Sequence, residues 1–70
     1  MAATSSLSLA ERSVVREVCA GRSNEEIARR LGKGLGTVKN QLSSAYRKLG
    51  VDSRARLIAV YGRRLSRPMR

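Results

Sequence analysis

Apolar residues recur along this chain at the three- and four-residue spacing of an amphipathic α-helix, and glycines interrupt the pattern. The interruptions separate four amphipathic stretches, none of which alternates in the way that a strand does. The pattern therefore predicts an all-α fold of four short helices. The glycines that end the first three stretches are Gly21, Gly32 and Gly50.

The starts of the predicted helices carry capping signals. A serine followed three residues later by glutamate forms a capping box, in which each side chain accepts a hydrogen bond from the other residue's backbone N–H. Ser8 with Glu11 predicts the start of the first helix in this way, and Ser23 with Glu26 predicts the start of the second. Ser53 is a candidate cap for the fourth helix.

The apolar stripes of the helices predict one small aliphatic core, because hydrophobic residues make up 41% of the 70 residues but neither Phe nor Trp is present. A chain this short buries only about 60% of the surface that its unfolded form exposes. We expect a domain over residues 7–65, between a flexible segment at 1–6 and a basic tail at 66–70. The residues predicted to point inward are Leu7, Val14, Val15, Val18, Ile27, Ala28, Leu31, Val38, Leu42, Ala45, Leu49, Leu57, Ile58, Tyr61 and Leu65.

The composition argues against catalysis and metal binding. No His, one Cys and five Asp and Glu residues leave almost no material for a metal site, a nucleophilic triad or an acid–base pair. We therefore expect no enzyme activity, no cofactor and no metal. The lone Cys19 cannot form an intramolecular disulfide, and no stretch approaches the ~18 apolar residues of a membrane span. Both observations favour a cytoplasmic protein without membrane contact.

Charge indicates the class of partner. Fifteen Lys and Arg residues against five Asp and Glu residues give a net charge of +10. The charge is uneven, because residues 37–70 carry nine basic residues and one acidic residue, whereas residues 1–36 carry six and four. A polyanion is therefore the expected partner, bound mainly by the second half of the chain.

The second and third predicted helices form the pattern of a helix-turn-helix. A turn with Gly32 and Gly34 joins them, and the third helix, at about residues 35–49, has a polar outward face that a core does not explain. Such a turn lets the N-terminal residues of the later helix enter the ~12 Å wide major groove of DNA. The polar residues of that face are Lys39, Asn40, Ser43 and Arg47.

These residues stand within a longer pattern that resembles the LuxR-type DNA-binding domain, the four-helix effector module of quorum-sensing and NarL/FixJ-like response regulators. The resemblance covers Leu7 to Leu65 and implies a bacterial, DNA-binding regulator of transcription. The matching segments are Leu7-Ser8-x-x-Glu11-Arg12, Gly21-Arg22-Ser23-Asn24-x-Glu26-Ile27-Ala28-x-x-Leu31, Thr37-Val38-Lys39, Lys48-Leu49-Gly50-Val51 and Ser53-Arg54.

Three positions depart from the pattern of that family. Lys33 stands where Ile or Val is usual, Gly34 where a Ser cap is usual, and Gln41 where His is frequent. We expect the first change to lose a buried contact and the second to weaken the cap of the third helix by a few tenths of a kcal/mol.

The resemblance also implies which residues touch DNA. Those that would face base edges are Lys39, Asn40 and Ser43, and the pairing of Lys with guanine and Asn with adenine agrees with this. Those that would approach phosphates are Asn24, Thr37 and Arg47, to which the cluster of positive charge adds Lys48 and Arg54. The competing interpretation is an ordinary solvated face.

A stripe of small residues lies along the fourth helix, through which LuxR-type domains dimerise. The residues are Ala55, Ala59 and Gly62. The resemblance thus implies a homodimer on DNA. The alternative interpretation is an exposed face that is rich in alanine for helix propensity.

The leading hypothesis is a sequence-specific, double-stranded DNA-binding transcriptional regulator, or the isolated effector domain of one. Region four of extracytoplasmic-function sigma factors is a second resemblance, carried by residues 36–45. A different class of function is an adaptor that binds RNA polymerase or a LuxR-type regulator through the same fold. A membrane-binding helical protein is disfavoured, since no helix combines a large apolar face with aromatic anchors.

Overall fold

The computed structural model describes the backbone of residues 6–66 and the side chains of residues 6–62. Over this range the helices are α1 Leu9–Cys19, α2 Asn24–Leu31, α3 Leu35–Leu49 and α4 Arg54–Ser66, and the described part contains no strand. The predicted all-α, four-helix fold is confirmed. Most of the predicted segment 1–6 and tail 66–70 lies outside the described residues, as does the side chain of Leu65.

The helix starts form as their capping signals predict. The Ser8 N–H donates to Glu11 Oε1 at 2.9 Å, and the Glu11 N–H donates to Ser8 Oγ at 3.1 Å. Ser23 and Glu26 exchange the same pair of bonds at 2.8 and 3.1 Å. The bond from the Ser23 backbone lowers the pKa of Glu26. In contrast, Gly34 is the N-cap residue of α3 and provides no side-chain cap.

Two glycines stop helices by adopting left-handed backbone angles. Gly32 follows α2 with φ of +66°, and Gly50 follows α3 with φ of +71°. A residue with a Cβ is strained in this conformation, whereas glycine is not. The stop signals identified along the sequence at these positions are therefore confirmed.

One aliphatic core joins the four helices, with α1 packed between α3 and α4, and α2 packed mainly on α3. Ala28, Leu31 and Tyr61 lie partly buried at its margin. The prediction for Ile58 is wrong, because 41% of this residue is exposed. It lies one residue, or about 100° of helix rotation, beyond the buried Leu57. The buried apolar residues are Leu7, Val14, Val15, Val18, Ile27, Val38, Leu42, Ala45, Leu49 and Leu57.

Glu11 is the one buried charged residue in the described part of the chain, with 7% exposure. Besides its capping bond, its carboxylate accepts from Lys48 Nζ at 2.9 Å and from Ser44 Oγ at 2.7 Å, so it connects α1 to α3. The bond from Lys48, followed by those from the Ser8 backbone and Ser44, lowers the pKa of Glu11 to about 2. Its ordinary value is 4.5.

The lowered pKa of Glu11 predicts that the stability of the fold decreases in acid over a defined pH range. A lowered pKa in the folded state stabilises the fold above pH 4.5, and the contribution is lost as the pH falls toward 2. We expect Glu11→Gln to lower the urea midpoint at pH 7 and to flatten the decline between pH 4.5 and 2. Glu25→Gln, at an exposed glutamate of α2, is the control and keeps the wild-type profile. A Glu11→Gln variant with the full wild-type acid decline contradicts the assignment.

Candidate nucleic-acid interface

The turn between α2 and α3 has fixed backbone geometry. The Lys33 N–H donates to the Ala28 carbonyl at 2.9 Å, which closes the end of α2 over the left-handed Gly32. Ile27 of α2 and Val38 and Leu42 of α3 are buried in the same core. The two helices and their short turn thus form a helix-turn-helix, and α3 matches the predicted recognition helix.

One side of α3 is buried and the other is exposed. Val38, Leu42, Ala45 and Leu49 lie in the core, at the predicted spacing. The three residues predicted to read bases, Lys39, Asn40 and Ser43, therefore lie together on the exposed side of the helix, which we call the outward face of α3. Its exposed residues are Thr37, Lys39, Asn40, Ser43 and Arg47.

A side-chain bridge borders this face where α2 and α4 begin. Arg54 Nη1 donates to Asn24 Oδ1 at 2.9 Å, and Arg54 Nη2 donates to the Arg22 carbonyl at 2.7 Å. Two residues predicted at phosphates, 30 positions apart in the chain, are thus in direct contact. A shallow groove runs beside them and is lined by Asn24, Lys39, Leu42, Ser43, Tyr46 and Arg54.

Tyr46 also lines the groove, although it is not among the site residues predicted from the sequence. It is partly buried, packs against the core and borders Lys39 and Ser43. The sequence contains a signal for this position, because Tyr46 follows Ser43 by three residues and residues three apart on a helix are neighbours.

Lys48 has a different environment from the neighbouring Arg47. Both residues are exposed, but the Lys48 ammonium group bonds Glu11 of α1 at 2.9 Å. Since a carboxylate offsets the Lys48 charge, this lysine has fewer donors left for an anion than a free lysine has.

Two of the departures from the LuxR-type pattern contact each other. Lys33 Nζ donates to Gln41 Oε1 at 2.7 Å, and both side chains are partly buried. A polar contact therefore joins the turn to α3 at the place where the pattern has an apolar residue in the turn. Taken one at a time, these positions predicted only a lost contact and not the bond between them.

The small-residue stripe of α4 is exposed at two of its three positions. Ala55 and Ala59 are exposed, but Gly62 is buried. A Cβ built on Gly62 would meet Ile58 Cγ2 at 3.5 Å, so these two residues lie side by side. Ile58 is exposed as well, so the exposed surface of α4 carries a large apolar side chain beside Ala59, whereas the sequence predicted that Ile58 points inward.

Within the described residues, no group of three or more His, Cys, Asp or Glu side chains is placed to hold a metal ion. In that part of the chain no helix is both long and apolar enough to cross a membrane. Cys19 is partly buried, and this burial raises the pKa of its thiol.

A helix-turn-helix with a polar, cationic outward face defines the class of this protein, which is a DNA-binding domain.

Comparison with known protein families agrees with this class. Residues 5–61 match the family described as bacterial regulatory proteins, luxR family. The chain belongs to that family and is a DNA-binding helix-turn-helix domain of the kind found in transcription regulators.

Similar proteins carry names of the same kind. A Mycobacterium tuberculosis protein named as an HTH-type transcriptional regulator, Rv0890c, is 46% identical over 59 residues, which cover 84% of this chain and 7% of that protein. The Escherichia coli protein named as the HTH-type transcriptional regulator YhjB is 47% identical over 49 residues, covering 70% of this chain and 24% of that protein. The chain thus spans a small part of these relatives. No solved structure matches significantly.

Proposed function

We propose that this chain binds double-stranded DNA in a sequence-specific manner, with α3 in the major groove, and so regulates transcription. The outward face of α3 carries the proposal, because Lys39, Asn40 and Ser43 have no role in the core and lie together on the helix that a helix-turn-helix presents to bases. Lys suits guanine and Asn suits adenine.

RNA polymerase is a further proposed partner of the chain. The cytoplasm is its proposed location.

Phosphate contacts hold the domain in register on the DNA. Arg54 occupies the Asn24 oxygen, so the Asn24 NH2 group is the part of that amide left to donate to an anion. Thr37 and Arg47 are exposed and are proposed phosphate contacts as well. Lys48 contributes through the donors that Glu11 leaves free.

Selection of bound duplexes from a random pool, followed by a salt titration on the selected duplex, tests this function. We expect one enriched motif and a preference over random DNA of about 10³-fold or more, as specific regulators have. Log affinity should fall linearly with log salt as counterions are released. No enrichment, together with no binding near physiological salt, overturns the proposal and favours an adaptor that contacts RNA polymerase or a LuxR-type regulator.

Two copies are proposed to bind one operator, with α4 helices in contact through Ala55 and Ala59, beside Gly62. A contact built on such small residues buries far less than the ~1,600 Å² of a standard interface, so the domain alone should be monomeric at micromolar concentration. DNA offsets the repulsion between two chains of net charge +10.

Cooperative binding to an inverted repeat, with half-sites about 10 base pairs apart, is therefore expected. Ala59→Glu should remove the cooperativity by placing a charge in the contact, while affinity for a single half-site falls only modestly. Ala59→Ser, a small neutral change, is the control and retains cooperativity. Equal cooperativity in the wild type and in Ala59→Glu, measured by mobility shift on one duplex, excludes α4 from the contact.

A further inference from the structure

Leu35 is an exposed leucine at the first position of α3, with 36% of its surface accessible. The other large exposed apolar residues of the described chain, Leu9, Ile58 and Val60, lie on α1 and α4. A single exposed leucine is ordinary on a protein surface. This one, however, stands at the end of the helix that is proposed to enter the major groove.

Two glycines, Gly34 and Gly36, flank Leu35 in the chain. Apart from their chain neighbours and the backbone of the helix, a Cβ built on either glycine would meet only open space. The side chain of Lys33, the residue before Gly34, is directed to Gln41 further along α3, to which its ammonium group donates a hydrogen bond at 2.7 Å. A DNA base can therefore approach the start of α3 closely, and Leu35 is the apolar side chain that it meets there.

The position of Leu35 also relates it to the proposed base contacts. Lys39 follows four residues later, so the two side chains are neighbours on one side of α3. The N-terminal residues of the second helix in a helix-turn-helix are those that reach base edges. The major-groove edges of the four base pairs carry one apolar group, the C5-methyl of thymine.

We propose that Leu35 is a specificity-determining residue that contacts the C5-methyl group of a thymine. The inference rests on the proposed sequence-specific binding of DNA. Removing one methyl group from such a contact should weaken binding about fourfold, the factor that corresponds to burial of one such group. The effect is confined to one thymine, since one side chain covers one base position.

A uracil scan tests the contact, because deoxyuridine pairs as thymidine does but lacks the methyl group. The probe is the duplex that the wild-type protein selects from a random pool, with each dT replaced singly by dU and affinity measured by fluorescence anisotropy. One replacement should weaken the wild type about fourfold. The same replacement should leave the affinity of the Leu35→Ala variant unchanged, because that variant lacks the side chain that contacts the methyl group. Leu9→Ala, which alters an exposed leucine at the first position of α1, is the matched control and should respond as the wild type.

Two results overturn the inference while leaving the proposed function intact. In the first, the wild type selects a motif, but no dT to dU replacement weakens its binding. This result is obtained with the wild-type protein alone, so it does not depend on the folding of any variant. In the second, the loss at the sensitive thymine is the same in Leu35→Ala as in the wild type, which assigns the methyl contact to another residue. Selection of no motif by the wild type is the distinct result in which the proposed function itself fails.

Discussion

Replacing Leu57 with alanine is expected to lower the free energy of unfolding by about 2–5 kcal/mol, the usual cost of truncating a buried leucine. Leu57 has 0% exposure and is the fully buried apolar residue among the described side chains of α4. A chain of 70 residues has a total stability of roughly 4–10 kcal/mol at the common value per residue. The variant should therefore be unfolded in a substantial fraction of molecules at 37 °C.

Urea unfolding followed by circular dichroism measures this loss. Val60→Ala on the same helix is the control, because Val60 is half-exposed and its truncation should change stability by no more than about 0.5 kcal/mol. Equal midpoints for the two variants contradict the view that Leu57 docks α4. Arg54 of α4 donates a hydrogen bond to Asn24 at the border of the outward face of α3. Undocking of α4 should therefore disturb that border as well.

The helices and their limits could be predicted because their signals are local. The capping boxes at Ser8 and Ser23 involve partners three residues apart, and the stops at Gly32 and Gly50 depend on the backbone of single residues. The inward stripe of α3 follows from helix periodicity alone. The residues of the outward face were found for the same reason, as the complement of that stripe.

Contacts between distant side chains could not be predicted in this way. Glu11 with Lys48 and Arg54 with Asn24 are pairs 37 and 30 residues apart, and their geometry depends on how whole helices pack. Ile58 and Gly62 lie at the edge of the buried side of α4. There the distinction between buried and exposed depends on the angle at which α1 meets α4, which periodicity does not specify.

Asn40→Ala is expected to cost about 1–3 kcal/mol, or roughly 5- to 150-fold in affinity, on the selected duplex. The same change should have almost no effect on random DNA, since Asn40 carries no charge and phosphate attraction is unaltered. Lys39→Ala should produce a similar loss on the selected duplex, with a smaller loss on random DNA because one positive charge is removed. Fluorescence anisotropy with both duplexes at one salt concentration measures the contrast.

Arg47→Ala is the matched comparison, because Arg47 lies on the same exposed face of α3 but is proposed to contact phosphate. Its affinity should fall by a similar factor on both duplexes, and its salt slope should decrease by about 0.9, the value of one released counterion. The distinction between the two groups depends on the ratio of specific to random binding rather than on either affinity alone. If Asn40→Ala weakens both duplexes equally, as Arg47→Ala should, Asn40 does not read a base, and α3 must lie in the groove with a different rotation about its axis.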